Sequence, residues 1–282
     1  MTYLPPALPL WVFPRLSARA LLLAAGFFLF TLFSAIAPMK ARAQGNDLHA
    51  PFGALLSRYV SVDDAGLARV DYGAWKANAG DVAALATYLD ALSAAAPSSM
   101  DEASRMAFYI NAYNALTLKV VLDHYPVSSI REISISPGLF SIGPWKKKLL
   151  SIEGEMLSLD DIEHTRLLAA FGDNRIHYAV NCASVGCPNL AAEPYRGPTL
   201  SAQLDAAARA YVNNARGVDL SSGRLKVSRI YEWYQRDFGG SEEGVIAHLK
   251  LFAAPDLRAK LDGVSSIRST FYDWSLNDAK DE

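Results

Sequence analysis

Cysteine is scarce in this chain, with two residues in 282, Cys182 and Cys187. The five histidines do not cluster with them, so the donors for a four-ligand structural zinc site are missing. Their spacing is not the C-x-x-C of a thiol oxidoreductase. The sequence also lacks a glycine-rich phosphate loop, a G-x-S-x-G nucleophile elbow and an H-E-x-x-H pair, and none of the chemistries carried by those motifs is indicated. Asp237, Phe238 and Gly239 spell the metal-binding tripeptide of protein kinases, but its companion motifs are absent. The tripeptide reads instead as a helix C-terminus followed by glycine. No internal repeat or low-complexity tract is present, and neither a metal nor a cofactor is expected.

Acidic residues are missing from the first 43 positions, which carry Arg15, Arg19, Lys40 and Arg42. Arg15 and Arg19 precede an apolar run from Ala20 to Ala37, then Pro38 and the small-x-small triplet Ala41, Arg42, Ala43 before Gln44. This order is that of a cleavable signal peptide. At about 18 residues the apolar run would also serve as an anchor if it were retained. In both cases the domain is exported, periplasmic or secreted, and after cleavage no membrane span remains. With no cysteine beside the cleavage site, a lipoprotein is excluded. The expected organisation is therefore a signal peptide at 1–43, a linker at 44–50 and one globular domain at 51–282.

Without residues 1–43 the balance is 23 basic to 29 acidic side chains, a net charge of −6. Nucleic acid is excluded as a partner, because it requires a basic footprint. The one basic cluster, Lys146 to Lys148, reads as a solvated strand edge. A small molecule or a peptide is the expected partner.

Apolar periodicity predicts a short helix over 51–60, a strand from Gly66 to Tyr72, and a helix from Asp81 to Ala95. The longest helix is expected from a Ser99–Glu102 capping box to about Asp123, stopped by Pro126. A hairpin follows over 146–159 with its turn at Gly154. Ser158 and Asp161 cap a helix from Leu159 to Phe171, ended by Gly172. Arg175 to Asn181 alternates as a strand and leads into the small-residue turn CASVGCPN. After it come a helix from Leu200 to Asn214, a hairpin around Ser221–Gly223, helices near 228–236 and 241–253, and a strand from Ile267 to Trp274. The absence of a βαβ rhythm indicates an α+β domain, a small, largely antiparallel sheet packed against several helices.

Some polar residues fall on apolar faces. On the long helix Arg105, Ala112, Lys119 and Asp123 form the polar edge, which leaves Asn111 and Asn114 on the apolar arc beside Ala107 and Leu118. Buried amides need partners, either loop backbone or a pocket's contents. Glu163 and Arg166 share a stripe with Leu159, Ile162 and Ala170 and are spaced to pair with each other. His164, between Leu168 and Phe171, reads as a satisfied core histidine, and His49, His124 and His248 as structural or solvated. If 175–181 is a strand, Ile176, Tyr178 and Val180 face one side and Arg175, His177, Ala179 and Asn181 the other. A Cys182–His177 dyad then requires a break near Asn181.

The segments FYINAYNALTL (108–118), LDDIEHTRL (159–167), RIHYAVNCASVGCPNL (175–190), YEWYQRDFG (231–239) and YDWSLND (272–278) closely resemble domain-of-unknown-function family 547, over roughly residues 95–278. The resemblance implies that Asn111, Asn114, Glu163, His164, Arg175, His177, Asn181 and Cys182 form one polar cluster. It implies no reaction.

Two functions use these residues. In a binding module, Cys182 and Cys187 form a disulfide, favoured by an oxidising compartment and an even cysteine count, and Asn111, Asn114, His164, Arg166, Arg175 and Asn181 hold a ligand or peptide. In a thiol-dependent acyl-transfer enzyme (peptidase, amidase or transglutaminase-like), Cys182 attacks, His177 or His164 is its base, Glu163 orients the base, and Asn111, Asn114 or Asn181 stabilises the oxyanion. The redox state of Cys182 separates them. In either case Asn111, Asn114, Glu163, Arg166 and His177 are expected to converge on one pocket.

Overall fold

The computed structural model describes residues 47–138 and 142–281. The expected signal peptide lies outside the described residues, and no described helix is long and apolar enough to cross a membrane. The chain runs α1 (Ala50–Tyr59), β1 (Val60–Val62), β2 (Ala68–Val70), α2 (Tyr72–Ala77), α3 (Ala79–Ser93), α4 (Glu102–His124), β3 (Leu150–Ile152) and β4 (Glu155–Leu157). A π-helix (Asp161–Leu168) then continues into α5 (Ala169–Phe171). The rest comprises α6 (Leu200–Val212), β5 (Val218–Asp219), β6 (Lys226–Ser228), α7 (Ile230–Trp233), α8 (Glu242–Phe252), α9 (Pro255–Asp262) and β7 (Ser269–Phe271).

Mixed helix and strand in one domain agrees with the sequence, but the expected single sheet is three small ones. Two are antiparallel hairpins, β1–β2 and β3–β4; in the third, β6 pairs antiparallel with β5 and parallel with β7. Strands of two or three residues cannot hold a core on their own, so helices carry it. Helix α4 is its axis, buried almost without interruption from Met106 to Leu122 and packed against α2, α3, α6 and the π-helix. A second cluster gathers Tyr178, Tyr211, Val227, Tyr231, Phe238 and Leu249 between α6, α8 and the three-stranded sheet.

Local chemistry explains where elements begin and end. Helix α4 is capped by Asp101, whose carboxylate accepts from the Ser104 amide at 2.9 Å; Ser99, the expected cap, closes a preceding 3-10 turn. The Ser158–Asp161 box forms as expected, with the Ser158 amide donating to the Asp161 carboxylate at 2.6 Å and the Asp161 amide donating to the Ser158 hydroxyl at 3.2 Å. Gly172, at φ +62°, ends that helical stretch in a left-handed turn. Lys146, Lys147 and Lys148 are exposed at the edge of β3, as the sequence indicates. The expected linker is partly docked: Asp47 pairs with Arg196, and His49 Nδ1 lies 2.7 Å from the Tyr88 hydroxyl.

The strand expected at Arg175–Asn181 is absent. Asn174–Tyr178 is a 3-10 helix started by Asp173, whose carboxylate accepts from the Arg175 amide at 2.9 Å. The backbone groups that a sheet ladder would use are taken by a side chain: Asn114 donates to the Ala179 carbonyl at 2.9 Å and accepts from the Asn181 amide at 2.8 Å. With Ile176 through Asn181 all buried, two-faced alternation does not apply.

Candidate functional site

The two buried asparagines of α4 are structural pins. Asn111 donates to the Tyr195 carbonyl at 2.8 Å and accepts from the Tyr195 amide at 2.9 Å, just as Asn114 holds 179–181. Each amide mimics a backbone partner for a loop without a strand to pair with. Asn181 in turn donates to the Pro188 carbonyl at 2.7 Å and accepts from the Ala183 amide at 2.9 Å, which shapes the turn that follows. None of the three faces the cavity described next.

That turn is closed by a Cys182–Cys187 disulfide, with a Cα–Cα separation of 6.3 Å. The segment 272–278 clasps it from outside. The Val185 and Gly186 amides donate to the Ser275 and Asp273 carbonyls, both at 2.8 Å, and the Asn277 amide donates to the Ala183 carbonyl at 3.2 Å. Gly186 is required there, because a Cβ would come within 2.8 Å of the Asp273 backbone. The Tyr272 hydroxyl donates to Cys187 Sγ at 3.1 Å and lies 3.2 Å from Cys182 Sγ and 2.9 Å from the Ser184 hydroxyl. Burial pushes this phenol well up, so it stays protonated as a donor.

Above the disulfide opens a cavity of about 250 Å³. Cys182, Cys187, Val180, Pro188 and Ile230 contribute to its lining. Six aromatic residues, Tyr113, Trp145, Trp233, Tyr234, Tyr272 and Trp274, surround the rest, with Asp160, Glu163, His164 and His177 as the titratable side chains among them. The aromatic wall packs internally: Tyr272 lies 4.8 Å from Trp233 and 4.7 Å from Trp274, centroid to centroid, and Trp145 meets Trp274 edge-on at 5.9 Å. Arg229 and Arg131, which do not line the cavity, sit over the Trp233 and Trp274 rings.

The π-helix and Asp160, the residue before it, supply the acids. A π-helix bonds i to i+5, so side chains three apart no longer stack as they do on an α-helix. The expected Glu163–Arg166 pair is accordingly not formed, and Arg166 bonds Glu155 of β4. Glu163, 8% exposed, accepts from the Tyr234 hydroxyl at 2.7 Å. Asp160 is half-buried, and burial raises its pKa. His164, expected in the core, is exposed at the rim, as its neighbours Thr165 and Ala169 are.

His177, 3% exposed, is held by Asp237 of the helix-ending tripeptide: its Nε2 lies 2.8 Å from the Asp237 carboxylate. The tripeptide Asp237–Gly239 does end a helical turn, with Gly239 at φ +101°, and also presents this carboxylate. Burial lowers the pKa of His177 although Asp237 opposes it, so the ring is neutral near pH 7. A neutral ring donating from Nε2 keeps its lone pair on Nδ1. Its face packs on Tyr234 at 4.1 Å. The other buried histidine, His248, bonds the Tyr178 hydroxyl at 2.7 Å in the second core cluster.

Of the expected site residues, the cavity brings together Cys182, Cys187, His177, Glu163 and His164. Arg175 is elsewhere, bound to Asp173 and Asp205 beside a separate depression formed with Glu102 and Thr199. The expected convergence therefore fails for Asn111, Asn114 and Arg166, because the two amides bond loop backbone and Arg166 bonds Glu155, all outside the cavity. The aromatic wall, Asp160 and Asp237 were missed as site residues. The signal was present in the segments YEWYQRDFG and YDWSLND, which bring five of the lining and positioning side chains, Trp233, Tyr234, Asp237, Tyr272 and Trp274, from two places in the chain. Among the described residues no group of histidine, cysteine and acid side chains is arranged to hold a metal.

The protein is thus an α+β domain with an aromatic-walled, acid-bearing cavity above a disulfide. Residues 97–212 match the family model described as "Protein of unknown function, DUF547", which shows the family resemblance over that stretch. The match includes the π-helix, the 3-10 segment and the disulfide loop, but not the later segments that supply Trp233, Tyr234, Tyr272 and Trp274. No curated protein and no solved structure matches the chain.

Proposed function

We propose that this domain is an exported binding module whose ligand, a small molecule or the side chain of a peptide, enters the cavity above the Cys182–Cys187 disulfide. The observation that carries this reading is the cavity's composition: concave, mostly apolar, and lined by a few convergent polar groups, as ligand sites are. The disulfide supports binding over acyl transfer, since a bonded Cys182 has no thiolate with which to attack. Burial-driven protonation makes Tyr234 and Tyr272 fixed donors, and the disulfide and the 272–278 clasp hold the floor rigid, so little ordering is needed when a ligand arrives.

Thermal-shift screening of the full chain against a chemically mixed small-molecule library tests this. Hits lost on Trp274→Ala and kept on Lys119→Ala, a distant surface change, are expected; no hit, or hits indifferent to Trp274, overturns the reading. For export, mass spectrometry of protein from an envelope fraction is expected to find Gln44 as the first residue, and an intact Met1 terminus on soluble protein would contradict it.

One observation favours a second reading. The His177–Asp237 pair opens on the same cavity as Cys182 and resembles a base with its orienting acid. Under a dithiol reductant, Cys182 would regain a thiol in the cavity that His177 also lines. Activity on acyl substrates only after reduction, abolished in Cys182→Ser, would favour acyl transfer over binding.

A further inference from the structure

Resting on the binding reading, we infer that the cavity recognises an organic cation, a quaternary or alkylated ammonium group, through its aromatic walls and the carboxylates of Glu163 and Asp160. The first observation is charge. Glu163 is buried, yet its hydroxyl partners Tyr234 and Tyr113 are neutral, and neither Glu163 nor Asp160 takes part in any ion pair found among the described residues. His164 at the rim and Lys146, which is exposed and outside the lining, are close enough to act on Asp160, and His177 is close enough to feel Glu163, but none of the three forms an ion pair with either acid. No lysine or arginine lines the cavity. A buried carboxylate without a basic partner is expensive, and a ligand cation would supply the missing charge.

The second observation is shape. The aromatic residues come from four separate parts of the chain: α4, the segment before β3, α7 with its following turn, and the clasp at 272–274. They surround the space rather than form one flat platform. Ring faces attract cations best when desolvated, and enclosure by several rings is the arrangement that binds alkylammonium groups. A sugar would need a spread of donors and acceptors around its edge. Here much of the polar capacity is already engaged, with Tyr234 donating to Glu163 and Tyr272 donating to Cys187 Sγ while it lies 2.9 Å from the Ser184 hydroxyl. A hydrated metal ion needs more oxygen ligands than two carboxylates in an apolar wall provide. An anion would face two acids and a neutral His177.

The ammonium group has two natural sources, a free solute and a lipid head group, and both present the same trimethylammonium. The decisive comparison is choline against 3,3-dimethyl-1-butanol, which has the same shape with carbon in place of charged nitrogen. Isothermal titration of the full-length chain is expected to show choline binding at least about tenfold more tightly than the neutral isostere. Glu163→Gln, which keeps an acceptor for Tyr234, is expected to erase most of that preference while leaving the thermal midpoint nearly unchanged. Trp233→Ala, at a residue 41% exposed and therefore tolerant of truncation, is expected to weaken choline further.

Co-sedimentation with phosphatidylcholine vesicles, reversed by choline, would assign the lipid source; choline binding without sedimentation would assign the free solute. Equal affinity for choline and its isostere, with both sensitive to Trp274→Ala, would overturn the cation inference and leave the binding module standing. Failure of choline while a neutral sugar or an anionic library member binds would do the same. Silence from every ligand would overturn both.

Discussion

Buried polarity has opposite meanings on α4 and on the π-helix. On α4, Asn111 and Asn114 sit deep in the core with donor and acceptor both used on loop backbone. On the π-helix, Glu163 is nearly as buried and has a hydroxyl partner but no counter-charge, and it faces an open cavity. A polar side chain whose valences are all met internally maintains the fold. One whose charge is left unmatched at a cavity indicates what is to come from outside.

The largest effect that sharpens this comparison falls on the pins. Asn114→Ala leaves the Ala179 carbonyl and the Asn181 amide unpaired in the interior and is expected to cost about 2–5 kcal/mol, with Asn111→Ala in the same range. Glu163→Gln is expected to cost under about 1 kcal/mol, because the Tyr234 bond survives. Urea denaturation measures both, and equal losses would erase the distinction between the two helices.

Next in size is acid sensitivity. Burial lowers His248 to about 4 and His49 to about 4, and lowers His177 as well. The unfolded chain takes up protons near pH 6.5 that these rings refuse, so stability is complete above about pH 6.5 and falls as the pH drops toward 4. For buried His248 alone the loss approaches about 3 kcal/mol across that window. His248→Gln, which can still bond Tyr178 but cannot ionise, is expected to flatten the profile of denaturation midpoint against pH; an unchanged profile would show that the folded ring titrates normally.

The disulfide comes third. It closes a short loop, so Cys182→Ser and Cys187→Ser are each expected to lower stability by about 2 kcal/mol and by similar amounts. A thiol assay on unreduced, denatured protein is expected to find none, and two free thiols would revive the nucleophile. Smallest is the exposed Lys119–Asp123 pair at the polar edge of α4, where Lys119→Ala should change stability by less than about 0.5 kcal/mol.

Much of the helical layout was legible because caps and stops are local. The Ser158–Asp161 box, Gly154 and Gly172 act through neighbouring backbone, and each lies where the pattern indicates. The segment 175–181 was misread because its partner is the Asn114 side chain, 67 residues from Asn181, which no local period reveals. The Glu163–Arg166 pairing failed for a related reason, since a wheel of α-helical pitch does not apply to a π-helix. At the site, the cysteines, His177 and Glu163 stood out as chemical types. The aromatic walls did not, because in sequence a tryptophan or tyrosine reads as core, and only the closing of 231–234 and 272–274 over the disulfide makes them a surface.

The clasp at 272–278 also constrains the order of assembly. It supplies Tyr272 and Trp274 to the cavity, while Asn277 accepts from the Tyr72 hydroxyl at 2.9 Å and Asp278 from Tyr125 at 2.7 Å. Contacts that span 205 and 153 positions close slowly. During vectorial synthesis, the 182–187 turn and the π-helix would emerge before Tyr272 and Trp274 are available to cover them. A nascent chain paused before residue 272 would therefore hold a disulfide loop open to thiol exchange and a cavity without its outer wall.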